Sequence, residues 1–259
     1  MGKYGGTVIH HIRDEAGPIE IVETLGVRAL HFGTEARQSA LDLADPERLE
    51  LSYLRAMLIG LVFVPVPERI LLLGLGGGSL ARFLVRHYPD ARIEVIELRA
   101  AMVDVARRYF GLPDHPGLSI KIGDGGESIM RRVGAGGDGY DLILIDIFDD
   151  RGLAPSLMRP EVFEALPRLL KPRGVADINL WNSHPETFRA VMHLIKRHFP
   201  AGALSLPVPG RGNVIGIGLG AEATRSDAGV CRERARLLQS RLGIEFTRML
   251  RHLAPPWRR

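Results

Sequence analysis

Cysteine is almost absent. Cys231 is the only one in 259 residues, so no internal disulfide can form, and no His/Cys/Asp spacing points to a metal site. Lysine is scarce as well: of 34 basic residues only Lys3, Lys121, Lys171 and Lys196 are lysines, a bias that genome composition can produce without a functional cause. No block of five or more like charges occurs. The cluster RRVGAGG and the terminal WRR are too short for a nucleic-acid patch, so at a net charge of +4 nucleic acid is not expected as a partner. Long apolar runs are missing too. The longest, Met57 to Val64, falls far short of the roughly 20 residues that span a bilayer. The N-terminal MGKYGGTVIHH has no apolar core of a signal peptide, so no membrane association and a cytoplasmic location are expected. Neither an internal repeat nor a low-complexity segment interrupts the chain.

What remains is an ordinary globular composition, 46% hydrophobic and 25% charged, in a length that suits one large α/β domain with a small appendage. Residues 1–48 read as an N-terminal β-strand domain. IEIVET (19–24), VRALHFG (27–33) and RQSALDL (37–43) alternate roughly with period two, as in a small antiparallel sheet. His10 and His11 precede them in a stretch expected to be solvated. A helix is expected over 45–64, with Asp45 as its N-cap and Pro46 at its first position. Residues 49–259 form the second domain. From Arg69 the pattern changes to apolar strands alternating with amphipathic helices: ILLLGL, IEVIEL, LSIKIGD, YDLILIDIF and GVADINLW, each followed by a helical stretch. Near-continuous apolar strands mean a parallel sheet covered on both faces. ALSLPVPG and NVIGIGLG close it as a hairpin, and a long helix over 225–252 ends the chain. The expected fold is a doubly wound, Rossmann-like α/β domain around a seven-stranded sheet, behind a small antiparallel β domain.

In open α/β sheets ligands bind outside the carboxyl ends of the strands. The first strand ends in GLGGGSL, whose Gly74, Gly76 and Gly78 let backbone approach a ligand at a helix N-terminus. Ser79 stands where a dinucleotide fingerprint wants its third glycine, which argues against an NAD enzyme. Glu97 ends the second strand, 23 positions beyond Gly74, at the spacing where a carboxylate takes both ribose hydroxyls; the bland reading is a solvated strand-end charge. Asp124 and Gly125 follow the third strand. Asp124 suits an exocyclic amine such as adenine N6, or the N-cap of the next helix, or both. The fourth strand ends in DIFDD, where Asp146, Asp149 and Asp150 need a positive charge to offset their burial. A sulfonium or an ammonium would supply one; helix capping and ion pairs to Arg151 or Arg159 would also account for them. At the fifth strand's end, His184 could line an acceptor pocket, although a cap by Ser183 is the more ordinary reading there. Core packing is expected of Trp181.

Glycine loop, acidic residue, GD and an Asp-rich strand end follow the layout of the class I S-adenosylmethionine-dependent fold. IEVIELRAAMVDVARRYF, IKIGDG, DIFDD–G–A and the stretch LHFGTEARQSALDL around Gln38 resemble the spermidine synthase (polyamine aminopropyltransferase) family over about residues 18 to 220. The resemblance implies a transferase whose donor substrate is decarboxylated S-adenosylmethionine or S-adenosylmethionine, with no metal, a small-molecule acceptor such as an amine, and a homodimer. It implies that Gln38, Glu97, Asp124 and Gly125 hold the adenosine part. It implies that Asp146 is the catalytic aspartate that binds and deprotonates the attacking amine, and that Asp149 positions it.

The departures from the family's pattern are specific. Gly77 stands where the family's GGGDGG carries an Asp that grips the donor's terminal amine. Tyr53, Leu54 and Arg55 replace a Tyr-His/Gln-Glu trio, so Tyr53 is kept while an acidic residue has become a cation. Asp150 and Leu153 replace prolines, and the tyrosine of the family's YPSG loop has no match in PVPGRGN. Arg55 would repel a polyamine and could pair with a carboxylate, so the expected donor extends to ordinary S-adenosylmethionine and the expected acceptor is not putrescine. The alternative is a catalytically diverged nucleoside-binding protein. A nucleic-acid methyltransferase is disfavoured because Asp146 to Asp149 lack the D/N-P-P-Y pattern that holds a flipped base.

Overall fold

The computed structural model describes residues 2–149, 152–183, 185–223 and 228–254, with the backbone alone for 148, 149, 152 and 153. Asp150, Arg151 and His184 lie outside the described residues. Four strands open the chain, β1 (Thr7–Asp14), β2 (Gly17–Thr24), β3 (Val27–His31) and β4 (Ser39–Asp42), in an antiparallel sheet of that order. β1 takes the place of the expected solvated tail. None of its residues is buried, so it carries no apolar signal; it is held by its ladder to β2 and by His10 stacking on Tyr109 at 4.8 Å.

The expected helix over 45–64 does not form. Asp45 and Pro46 start a turn instead, with the Arg48 N–H donating to the Asp45 carbonyl at 3.2 Å. Only α1 (Ser52–Ala56) is α-helical, and a 3-10 turn, Ile59–Val62, follows it. The reason is burial on every side. Leu49, Leu51, Leu54, Met57, Leu58, Ile59, Leu61 and Val62 are all at most 5% exposed, so no single helical stripe could satisfy them. The backbone is also diverted: the Gly60 N–H donates to Asp177 Oδ2 at 2.7 Å. Asp177 is wholly buried, and burial pushes its carboxyl well above the usual carboxylate range.

The second sheet begins with β5 (Arg69–Leu73), α2 (Ser79–His87), β6 (Arg92–Glu97), α3 (Ala101–Phe110), β7 (Leu118–Ile122), α4 (Gly125–Ala135) and β8 (Tyr140–Ile145). A two-residue pair, β9 (Phe148–Asp149) and β10 (Gly152–Leu153), follows. The helix expected next is broken by Pro160 and Pro167 into α5 (Pro160–Ala165) and a 3-10 turn, Leu166–Leu169, and β11 (Leu170–Trp181) starts four residues earlier than expected. Then come α6 (Pro185–His198), β12 (Ala203–Pro207) and β13 (Asn213–Leu219). The single C-terminal helix expected is two, α7 (Ala228–Leu242) and α8 (Phe246–His252), parted at Gly243, where φ is +67°.

The sheet order is β12-β13-β11-β8-β5-β6-β7. The five strands from β11 to β7 run parallel, and β13 and β12 close the edge antiparallel. This is the seven-stranded, doubly wound sheet expected. Alternation along the strands covers both faces: Leu72, Leu142 and Leu144 enter one core, Leu71, Leu73, Ile143 and Ile145 the other. The N-terminal sheet is tied to this body by Ile19, Ile21, Leu30 and Leu41, which pack with Met102, Val105 and Phe110 of α3. The strand order reverses between β5 and β8, which sets the crevice at their carboxyl ends.

Candidate functional site

Gly74 marks that crevice. Its φ is +95°, and a Cβ there would lie 2.3 Å from the Asp146 carbonyl oxygen, so only glycine allows β5 and β8 to end this close together. The Asp146 N–H donates to the Leu73 carbonyl at 2.8 Å and fixes the strand end. A cavity of about 720 Å³ opens above, within the size range of small-molecule sites. Gln38, Gly74, Gly76, Glu97, Asp124, Gly125, Tyr53 and Asp146 all line it, so most of the residues singled out in the sequence converge.

Glu97 is 8% exposed rather than solvated. Its Oε2 accepts the Leu75 N–H and its Oε1 the Arg99 N–H, both at 2.8 Å. A carboxylate has about four acceptor sites, so two remain for ligand donors. Asp124 is the N-cap of α4, accepting the Glu127 N–H at 2.9 Å through Oδ1, while it also lines the cavity. The cap reading is thus observed, and its place on the cavity wall leaves Asp124 within reach of a ligand.

Asp146 lines the cavity just beyond the end of β8. Its Oδ2 accepts the Tyr53 hydroxyl at 3.2 Å and its Oδ1 the Asn179 amide at 2.9 Å. Asn213 in turn donates its amide to Asn179 Oδ1 at 3.0 Å. Burial raises the Asp146 carboxyl above its ordinary value, against the two hydrogen bonds, which lower it. Tyr53 is itself pushed far up, first by burial and then by Asp146, so it remains a donor. Asn179 and Asn213 had no local signal in the sequence. They meet only because β11 and β13 pair antiparallel, with Trp181 opposite Asn213. Trp181 is not core: it is 40% exposed and lines the cavity.

Two expectations fare otherwise. Arg55 turns away from the cavity. Its guanidinium donates to the Leu49 carbonyl at 2.5 Å and pairs with Glu245 at 3.4 Å, because the short α1 points it toward the C-terminal helices. Gly78 does not reach the cavity wall; at φ +77° it is the N-cap of α2. The Asp149 side chain lies outside the described residues. At Gly77 the room for a side chain is filled: a Cβ would lie 2.9 Å from Ser39 Cβ and 3.1 Å from the Phe110 ring. The Gly77 N–H donates to Ser39 Oγ at 2.8 Å. Beside it, Ser79 lines the cavity 4% exposed, and its hydroxyl has no hydrogen-bond partner among the described residues.

A pH dependence follows. Removing the Tyr53 hydroxyl in Tyr53→Phe takes away a bond that favours the Asp146 carboxylate, so the Asp146 pKa rises further. If the carboxylate is the working form, activity is lost as pH falls through that pKa, and the acid limb of kcat/KM moves to higher pH in the variant. A pH–rate profile of both proteins reads the shift; an unmoved acid limb would separate Asp146 from the pH dependence.

Known proteins of similar sequence and fold place the chain in a family. Residues 53–208 match the spermine/spermidine synthase domain. A polyamine aminopropyltransferase of Chromobacterium violaceum is 34% identical over 241 residues, which cover 92% of this chain and 90% of that one. Among solved structures, a probable spermidine synthase from Corynebacterium glutamicum has a TM-score of 0.74 at 20% identity, covering 90% and 88% of the two chains. Human methyltransferase-like protein 13 in complex with SAH has a TM-score of 0.67 at 25% identity, covering 74% and 93%. With the domain matched over residues 53–208 and a 34% identical relative covered nearly end to end, the chain belongs to the spermine/spermidine synthase family.

Proposed function

We propose that the protein transfers an alkyl group from S-adenosylmethionine to a nitrogen of a small acceptor that is not putrescine. The observation that carries this reading is Asp146, a carboxyl held by Tyr53 and Asn179 on the wall of a nucleoside-sized cavity. The residues present fit such a donor. Glu97 keeps two acceptor sites for ribose hydroxyls, Asp124 and Gln38 stand at the base end, and Gly74, Gly76 and Gly125 leave backbone exposed along the cavity. The donor supplies an electrophilic carbon on a positively charged sulfur.

Charge at the glycine loop favours the carboxylated donor. The family's amine-gripping Asp is absent, and Ser39 and Phe110 occupy its room. What faces the cavity instead is the N-terminus of α2 with the unpartnered Ser79 hydroxyl, donors that suit a carboxylate.

Asp146 would receive the acceptor amine by its charge and take its proton. The amine's lone pair then forms the new N–C bond as the C–S bond breaks, the bonding pair stays on sulfur as a neutral thioether, and the positive charge passes from sulfur to the nitrogen, which leaves as an alkylated ammonium. A positioned base contributes about 10²–10⁴-fold, and alignment of the two reactants about 7–11 kcal/mol.

Two measurements test this. In calorimetric titration, S-adenosylmethionine is expected to bind more tightly than its decarboxylated form. By mass spectrometry, S-adenosylhomocysteine is expected as the nucleoside product when acceptors are offered. Preference for the decarboxylated donor with methylthioadenosine as product would overturn the donor assignment and make the chain an aminopropyltransferase.

A further inference from the structure

The cavity that holds Asp146 also carries a cation. Arg211, at the tip of the hairpin joining β12 to β13, lines the same cavity as Asp146, and its charge reaches the Tyr53 hydroxyl. Among the described residues no carboxylate pairs with its guanidinium. Its position is not that of a loose loop charge. Two residues on, Asn213 donates to Asn179, which donates to Asp146, so the hairpin's start is tied to the Asp146 carboxyl. Trp181, opposite Asn213 in the ladder, is 40% exposed and lines the cavity as well. The same cavity thus offers a carboxylate, a guanidinium and an aromatic side chain.

We infer that the acceptor is an amino carboxylate whose nitrogen lies at Asp146 and whose carboxylate is bound by Arg211, which makes Arg211 the residue that sets specificity against diamines. This rests on the transferase reading above. A guanidinium matches a carboxylate in geometry and charge, and repels an ammonium at the same place. Discrimination thus comes from an attraction and a repulsion acting together.

The test uses 4-aminobutanoate and putrescine, which have the same chain length and differ in the far group. Each is titrated into the protein saturated with S-adenosylhomocysteine. The amino carboxylate is expected to bind at least about tenfold more tightly, the scale of one hydrogen bond to a charged group. Arg211→Gln is expected to abolish the preference, and Arg211→Glu to reverse it. Arg211 is exposed, so neither change removes core packing. Nucleoside affinity, measured first in every variant, is expected to hold. Absence of nucleoside binding in the wild type would overturn the transferase reading and this inference together. Intact nucleoside binding with putrescine preferred, with neither acceptor bound, or with a preference indifferent to Arg211 would overturn this inference alone.

Discussion

Asp146→Asn is expected to lower turnover about 10²–10⁴-fold while leaving the fold and nucleoside binding intact. The substitution is nearly isosteric. The Asn179 amide can still donate to the side-chain oxygen, and the Tyr53 hydroxyl can turn to accept from the new amide. What is lost is the charge that receives an amine and the base that takes its proton. Turnover at saturating donor, beside thermal melts and nucleoside titration, separates these effects. Wild-type turnover in the variant would remove Asp146 from the chemistry and assign the amine's proton to another acceptor. Loss of nucleoside affinity would show instead that the carboxyl shapes the donor site.

Phe110→Ala is expected to cost about 3–5 kcal/mol, the range for truncating a buried aromatic ring. Phe110 is wholly buried at the end of α3, where it joins Ile19, Ile21, Leu30 and Leu41 of the N-terminal sheet. Its ring also backs the glycine loop, at contact distance from Gly77. Its carbonyl accepts from Arg82, itself buried in α2. One side chain therefore ties the small sheet, α3 and the loop at the proposed donor end together. The midpoint of melting should fall by on the order of 10 °C for a chain of this size, and donor affinity should weaken with it. Urea unfolding and calorimetry on the same preparation check both. A loss below about 1 kcal/mol would mean that the cavity left behind collapses and the sheet is held elsewhere.

Much of the proposed donor end was legible in the chain order. Gly74, Glu97, Asp124 and Asp146 each close a strand whose apolar run is visible, and the sheet rule gathers such ends in one crevice. The proposed acceptor end was not. Arg55 was expected there from its place beside Tyr53, but α1 is a single short turn and directs it to Glu245. Arg211 sits in a Pro/Gly turn with nothing local to distinguish it, and Asn179 reads as one polar residue in an apolar strand.

The sequence by itself determined the parallel sheet, its closing hairpin, the glycine loop and the acids at the strand ends, because period, glycine and strand ends are local properties. Tertiary structure decided the rest. It broke the apolar segment at 49–64, because residues buried on all sides and a bond from Gly60 to Asp177 outweigh helical propensity. It brought Asn213, Asn179, Tyr53 and Asp146 into one hydrogen-bonded group from three strand ends and a helix. It filled the space at Gly77 with Ser39 and Phe110. Such contacts join residues far apart in the chain, and the direction of a side chain is set by what packs around it.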